Sequence, residues 1–252
     1  MADSSELQRK DYQDLIRIVQ GLIREHPFAA HPLGDEDACL RAGYAAAGRR
    51  QAYIVLAEDT SVELGAPRKD SISMALWTER KGLLEQRLWI LGSDLAGLEG
   101  QSVSFLQIVM LELAEGSQVD ESDLNRIKNL TNRIPGLMTR SMAGKTWIRI
   151  DKKLMGRGFS LYVMGQCLHK AYTEVFPEIR SMEIILMTGH EVLIGEFQPI
   201  FDAARIIASD NMKARWISEG VVTCDELNCE TCEDKNACDT LREVILKKKR
   251  MG

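Results

Sequence analysis

The chain has 252 residues, of which 45% are hydrophobic and 27% charged, with a formal net charge of −5. That is enough for one large domain or two small ones, in an ordinary balance for a globular protein, and the negative total argues against nucleic acid, whose binders are usually basic. The most apolar runs, at 105–113 and 184–187, fall short of the roughly 18 residues a membrane span needs, and the first ten residues lack an apolar signal core. A cytoplasmic protein without membrane insertion is predicted.

Leu15, Ile18, Val19, Leu22 and Ile23 recur at helical spacing, and Ser5 with Gln8 makes a capping-box signature. A helix is therefore predicted that ends before Pro27. His26-Pro27-Phe28 and His31-Pro32-Leu33-Gly34 read as loop. A second helix is predicted over 35–50, acidic at its start and ending in Arg49 and Arg50, as the helix dipole prefers.

From residue 51 the pattern turns to strands. Runs at 53–56, 72–77, 87–91 and 104–113 are β-prone, with Gly65-Ala66-Pro67 and Gly92-Ser93-Asp94 as turns, and they predict a meander or mixed sheet. Residues 120–133 predict a helix stopped at Pro135-Gly136, and two lobes joined near 116–120. Residues 145–150 predict a strand with Trp147 and Arg149 on one face, and Trp147 reads as packing. Ser160 caps a helix burying Leu161, Met164, Leu168 and Tyr172. Cys167 lies near its buried edge and also reads as packing. Residues 181–187 predict a strong strand. Phe197, Ile200, Phe201, Ala204, Ile207 and Ala208 line a long helix reaching toward Trp216, and a last helix from about 239 ends in the basic run 247–250.

The predicted class is α+β: a mixed sheet with packed helices and a C-terminal cysteine-rich metal loop. Residues 1–50 form an N-terminal helical segment, 51–220 the α+β domain, and 221–252 the cysteine-rich loop and closing helix.

Four of the six cysteines, Cys224, Cys229, Cys232 and Cys238, fall within fifteen residues, spaced C-x4-C-x2-C-x5-C. Cys39 and Cys167 stand isolated. In a reducing compartment such a cluster indicates a metal site rather than a disulfide framework. Thiolates are soft ligands that suit iron–sulfur clusters and zinc. The C-x4-C-x2-C opening matches plant-type ferredoxin loops, whereas structural zinc usually shows two separated knuckles. An iron–sulfur cluster is preferred, with zinc as the alternative. Asp225, Glu226, Glu230, Glu233, Asp234 and Asp239 interleave with the cysteines; they either lower the cluster's potential or keep the loop soluble. The histidines, His26, His31, His169 and His190, are scattered and give triad chemistry little material. Gly156-Arg157-Gly158 lacks the third glycine of a dinucleotide fingerprint, and Gly144-Lys145-Thr146 lacks the opening glycine of a P-loop.

Several runs carry a family resemblance across roughly residues 60–240. They are Val62-Glu63-Leu64-Gly65-Ala66-Pro67-Arg68, the stretch 87–92 with Ser93-Asp94, Trp147-Ile148-Arg149-Ile150 with Gly158-Phe159-Ser160, and Phe176-Pro177-Glu178-Ile179 leading into 182–188. In this order they resemble the middle region of the β subunit of the CO dehydrogenase/acetyl-CoA synthase complex. The resemblance implies that Cys224, Cys229, Cys232 and Cys238 hold a [4Fe–4S] cluster. In that family tryptophan and arginine residues of the middle region engage coenzyme A, and those roles are not carried to particular positions of this sequence. The family's cluster loop is longer, and its distal nickel is held by a Cys-Gly-Cys that this sequence lacks. The reading that follows is an iron–sulfur accessory subunit for electron transfer or docking, with other subunits of an anaerobic redox or one-carbon enzyme complex as partners. A catalytic acetyl-CoA synthase-type subunit completed by a partner and a zinc-stapled interaction module are the alternatives.

Overall fold

A computed structural model describes residues 11–45, 54–117, 119, 133–142, 145–219, 240 and 243. In chain order they form α1 (Gln13–Glu25), β1 (Ala29–Pro32), α2 (Glu36–Arg41), β2 (Thr60–Leu64), β3 (Ser71–Thr78), β4 (Arg87–Leu91), a 3-10 turn (Leu95–Leu98), β5 (Ser102–Val103), β6 (Phe105–Leu113), β7 (Leu137–Met142), β8 (Lys145–Asp151), α3 (Lys152–Met155), α4 (Leu161–Val175), β9 (Ile179–Thr188), α5 (Glu191–Glu196) and α6 (Gln198–Glu219). The class is α+β with two mixed sheets. One has strand order β1-β4-β9-β6-β3 and the other β5-β2-β8-β7. Residues Tyr12–Ala204 make one compact unit, and those from Arg205 onward belong to a second.

In the five-stranded sheet, all nine residues of β6 are buried, and β9 is buried from Met182 to Thr188. Strands covered on both faces read as continuous apolar runs, and these two do. β6 pairs antiparallel with β9, while β3–β6 and β4–β9 are parallel, so the sheet is mixed and not a meander. Side chains alternate across a strand, which places Glu183 and Ile184 on opposite faces of β9. Gln20 of α1 reaches Glu183 on one face. On the other, Gly165 of α4 lies so close to Leu88 that a Cβ there would overlap its isobutyl branch.

Local expectations are corrected at several points. The stripe of α1 is Tyr12, Ile16, Val19 and Ile23, leaving Ile18 51% exposed; Ser5 and Gln8 lie outside the described residues. The expected loop around His31 contains β1, an edge strand antiparallel to β4. The helix expected to start at 35 does so, with Asp35 accepting from Ala38 N, but α2 ends at Arg41 because Gly43 turns left-handed at φ +75°. No strand forms over the described residues 54–56; the strand begins at Thr60 instead. The predicted helix at 120–133 falls almost wholly outside the described residues. The two-lobe division near 116–120 is overturned, because β9 pairs with β4 and β6, and β8 with β2, so both sheets draw on both sides of it. The long helix expected from Phe197 forms as α6, Gln198–Glu219, with the short α5 preceding it.

The runs that carry the family resemblance are joints of this fold. Gly65, at φ +62°, closes β2 where the sheets meet: Ser71 Oγ donates to Thr146 O and accepts from Thr146 N at 2.9 and 3.2 Å. A Cβ at Gly65 would collide with Thr146 O and Ser71 Oγ. Asp94 accepts from Leu161 N at 2.8 Å and Ser160 Oγ from Val163 N at 3.2 Å, so two separate motifs cap the first turn of α4. The turn from α4 into β9 is held by Ala114 N donating to Glu178 O.

Candidate basic-aromatic ligand face

Among the described residues, the four-stranded sheet has one face that is more exposed than the other, and β8 shows it in sequence. Ile148 and Ile150 are buried, and the alternate residues Trp147 and Arg149 are half-buried. Register then decides their neighbours. Arg149 sits opposite Glu63 of β2 and Met138 of β7, and Trp147 opposite Arg140 of β7. Cross-strand partners of this kind lie about 5 Å apart at Cβ, so these five side chains, of four chemical types, form one cluster.

Its geometry is specific. Arg149 Nε donates to Glu63 Oε1 at 2.7 Å, with both side chains about one fifth exposed. Arg149 Nη1 also reaches the Val55 carbonyl at 3.4 Å. The Arg149 guanidinium lies 4.5 Å from the Trp147 ring centroid and that of the exposed Arg140 lies 6.0 Å away. Both fall within the range in which a cation is attracted to an aromatic face. Trp147 Nε1 is buried without a hydrogen-bond partner. Exposed Lys145 begins the same strand. The arrangement sets a flat indole beside two guanidiniums, a combination suited to a planar anionic molecule, while Glu63 holds one guanidinium in place.

The shared face of Trp147 and Arg149 agrees with the sequence reading. Arg140 and Glu63 had not been singled out as site residues. β7 follows Pro135-Gly136 and carries no predicted strand, so the register opposing Arg140 to Trp147 had no visible signal. Glu63 lay inside a quoted motif, without its partner. Cys224, Cys229, Cys232 and Cys238 lie outside the described residues. Among the described residues, no group of three or more His, Cys, Asp or Glu side chains is placed to hold a metal. Cys39 and Cys167, isolated in sequence, are both buried, on α2 and α4, which pack against each other.

A separate cavity of about 520 Å³ opens where the parallel strands β4 and β9 end, lined by His26, Leu91, His190, Glu191 and Glu196. Its polar groups are engaged: His26 Nε2 stands 3.8 Å from Glu196, and Glu191 accepts from Ser104 Oγ and faces Lys69. No helix among the described residues is long and apolar enough to cross a membrane.

Fold and face together define an α+β domain that turns a basic, aromatic sheet surface to solvent. The sequence profile of the CO dehydrogenase/acetyl-CoA synthase complex beta subunit family matches residues 46–193, and the chain belongs to that family. Relatives include the acetyl-CoA decarbonylase/synthase complex subunit beta 1 of Methanocaldococcus jannaschii, 27% identical over 56% of this chain and 19% of its own length. The subunit beta of Methanopyrus kandleri is 24% identical over 68% of this chain and 37% of its own. That of Methanothermobacter thermautotrophicus is 28% identical over 54% and 29%. The chain thus spans well under half the length of these relatives. The profile match includes Glu63, Arg140, Trp147 and Arg149 and ends before the four clustered cysteines.

Proposed function

We propose that this chain is an iron–sulfur-binding accessory member of its family, serving electron transfer or subunit docking in an anaerobic one-carbon or acyl-CoA enzyme assembly, and that its four-stranded sheet engages coenzyme A. The observation that carries the ligand reading is the Trp147 ring with the Arg149 and Arg140 guanidiniums 4.5 and 6.0 Å from its centroid. Coenzyme A joins an adenine, which stacks on an aromatic face, to phosphates, which arginine forks bind well. Arg140 and Lys145 supply charge from the exposed side. Arg149, tied to Glu63, supplies a guanidinium already oriented, which lowers the ordering entropy of binding. The complex role is supported by the names of the relatives, which are subunits of acetyl-CoA decarbonylase/synthase complexes.

The metal reading rests on donor chemistry. Four thiolates, Cys224, Cys229, Cys232 and Cys238, are a complete ligand set for one cluster. A bound cluster would supply one-electron transfer. The sequence offers no Cys-Gly-Cys for nickel.

Calorimetric titration of the anaerobically purified chain with coenzyme A tests the ligand. Arg140→Ala and Trp147→Ala should each weaken binding about tenfold, consistent with cation–π and charge-assisted contacts of about 1–2 kcal/mol. Affinity unchanged in both variants would overturn this assignment. Iron and sulfide analysis with visible absorption tests the metal, and zinc alone would return the zinc-stapled reading.

A further inference from the structure

α4 packs along β4, on the face of the large sheet opposite Glu183. Gly165 stands against Leu88, and one helical turn later half-buried His169 meets the side chain of Gln86, the residue just before β4. His169 Nε2 and Gln86 Nε2 lie 2.6 Å apart. Two nitrogens share a hydrogen bond only when one donates and the other accepts. The far side of the Gln86 amide decides which is which. Its Oε1 accepts from Met182 N of β9 at 3.1 Å, so the atom facing the ring is the amide nitrogen, which can only donate. His169 Nε2 therefore carries no proton, and the ring is the neutral Nδ1–H tautomer. The Gln86 carbonyl is engaged as well, accepting from Leu33 N. One glutamine side chain thus ties α4 to β4 and β9. We propose that His169 is a pH-sensitive latch: its neutral ring holds α4 on the large sheet through Gln86, and protonation of Nε2 opens that contact.

A neutral imidazole has one acceptor, and protonation removes it and turns an N–H against the Gln86 amide N–H. Gln86 cannot offer its oxygen to the ring without abandoning Met182 N. The charged groups around the ring are occupied or turned away. On α4, Lys170 pairs with Glu36 of α2, and Glu174 with Arg133. On α2, Asp35 faces Arg41, and Asp37 is exposed. Arg87 of β4 pairs with Glu85 and lies over Trp89, on the same far face as Glu183. His31 of β1 packs on Tyr162, and Arg180 is exposed at the start of β9. Burial is what holds His169 below the ordinary 6.5. The folded chain thus favours the neutral ring. The latch contributes fully above 6.5, and its contribution is lost as pH falls through the lower folded value, a slope opposite in sign to that of a raised carboxyl.

The test is nitrogen-15 and proton NMR of the full chain, with the His169 signals assigned by their absence in His169→Gln. The Nδ1–H tautomer is expected at neutral pH, with a titration midpoint below 6.5. Hydrogen exchange, corrected for its intrinsic pH dependence, should show the amides of 169–175 losing protection about fivefold over the same interval, as expected for one lost hydrogen bond. In His169→Gln, whose side chain still accepts through its carbonyl but does not titrate, that pH dependence should vanish. Gln86→Met, which removes the donor, should raise the His169 midpoint. An Nε2–H tautomer, a midpoint at or above the ordinary value, or protection that stays flat through the titration overturns the proposal. The tautomer and the exchange are read on the unmodified protein, so the answer stands even if a variant fails to fold.

Discussion

In the five-stranded sheet β6 exposes nothing, whereas in the four-stranded sheet β8 alternates, Ile148 and Ile150 buried and Trp147 and Arg149 half-buried. The first strand is covered on both faces and its side chains are committed to packing. The second has, among the described residues, one face only half-covered, which leaves a row of side chains partly open. The chemistry differs accordingly. Buried acids of the large sheet have their needs met from within: Glu112 accepts from Gly82 N and Leu83 N, and Glu183 from Gln20, Glu85 N and Trp89. On the small sheet, Glu63 is spent orienting an arginine toward an aromatic ring. The large sheet is scaffold, and the small sheet carries the groups of the proposed ligand face.

The sharpest way to break this division is truncation on each side of it. Leu106→Ala, at a fully buried site in β6, should lower unfolding free energy by about 2–5 kcal/mol through lost burial and the remaining cavity. Arg140→Ala should stay within about 0.5 kcal/mol of the parent. Chemical denaturation of both checks the contrast, and equal losses would erase it.

Gly65→Ala tests the joint between the sheets. Left-handed backbone strain contributes about 1–3 kcal/mol in a residue with a Cβ, and collision with Thr146 O and Ser71 Oγ adds to it. Thermal unfolding should shift down clearly. An unchanged midpoint would mean that the two sheets tolerate separation there.

The smallest effect is one of pH. Burial raises the Glu183 carboxyl above its usual 4.5, outweighing the hydrogen bonds that oppose it. The folded state therefore holds this proton to higher pH than the unfolded chain does. Its favourable contribution is complete below the unfolded value and is lost as pH rises through the raised folded value. In denaturant midpoints measured from pH 4 upward, the parent should lose stability relative to Glu183→Gln as pH rises. Parallel curves would contradict a raised carboxyl. The slope is the readout, since the amide also changes the bond to Trp89.

How much of this was legible in sequence depended on the range of the force involved. The strands at 105–113 and 181–187 declared themselves because two-sided burial favours a mostly apolar run, here interrupted by Gln107, Glu112, Ser181 and Glu183. The Trp147/Arg149 alternation did so because one-sided burial demands a period of two. Ser160 as a cap was visible too, being a local hydrogen bond. Partners fixed by pairing were hidden. Nothing in residues 137–142 announces a strand, so Arg140 could not be set against Trp147. Ala29–Pro32 looked like loop because its strand exists only through β4. The packing of α2 on α4, which buries both Cys39 and Cys167, is likewise encoded by no local spacing.

β1 has one further consequence. It is the outer strand of the large sheet, only four residues long, largely exposed, and finished by Pro32. A proline has no N–H to offer, and a short strand leaves few open groups for an incoming chain to pair with. The flank most available for edge-to-edge aggregation is thus a poor template, and the apolar sheet behind it is shielded from growing by strand addition at that border.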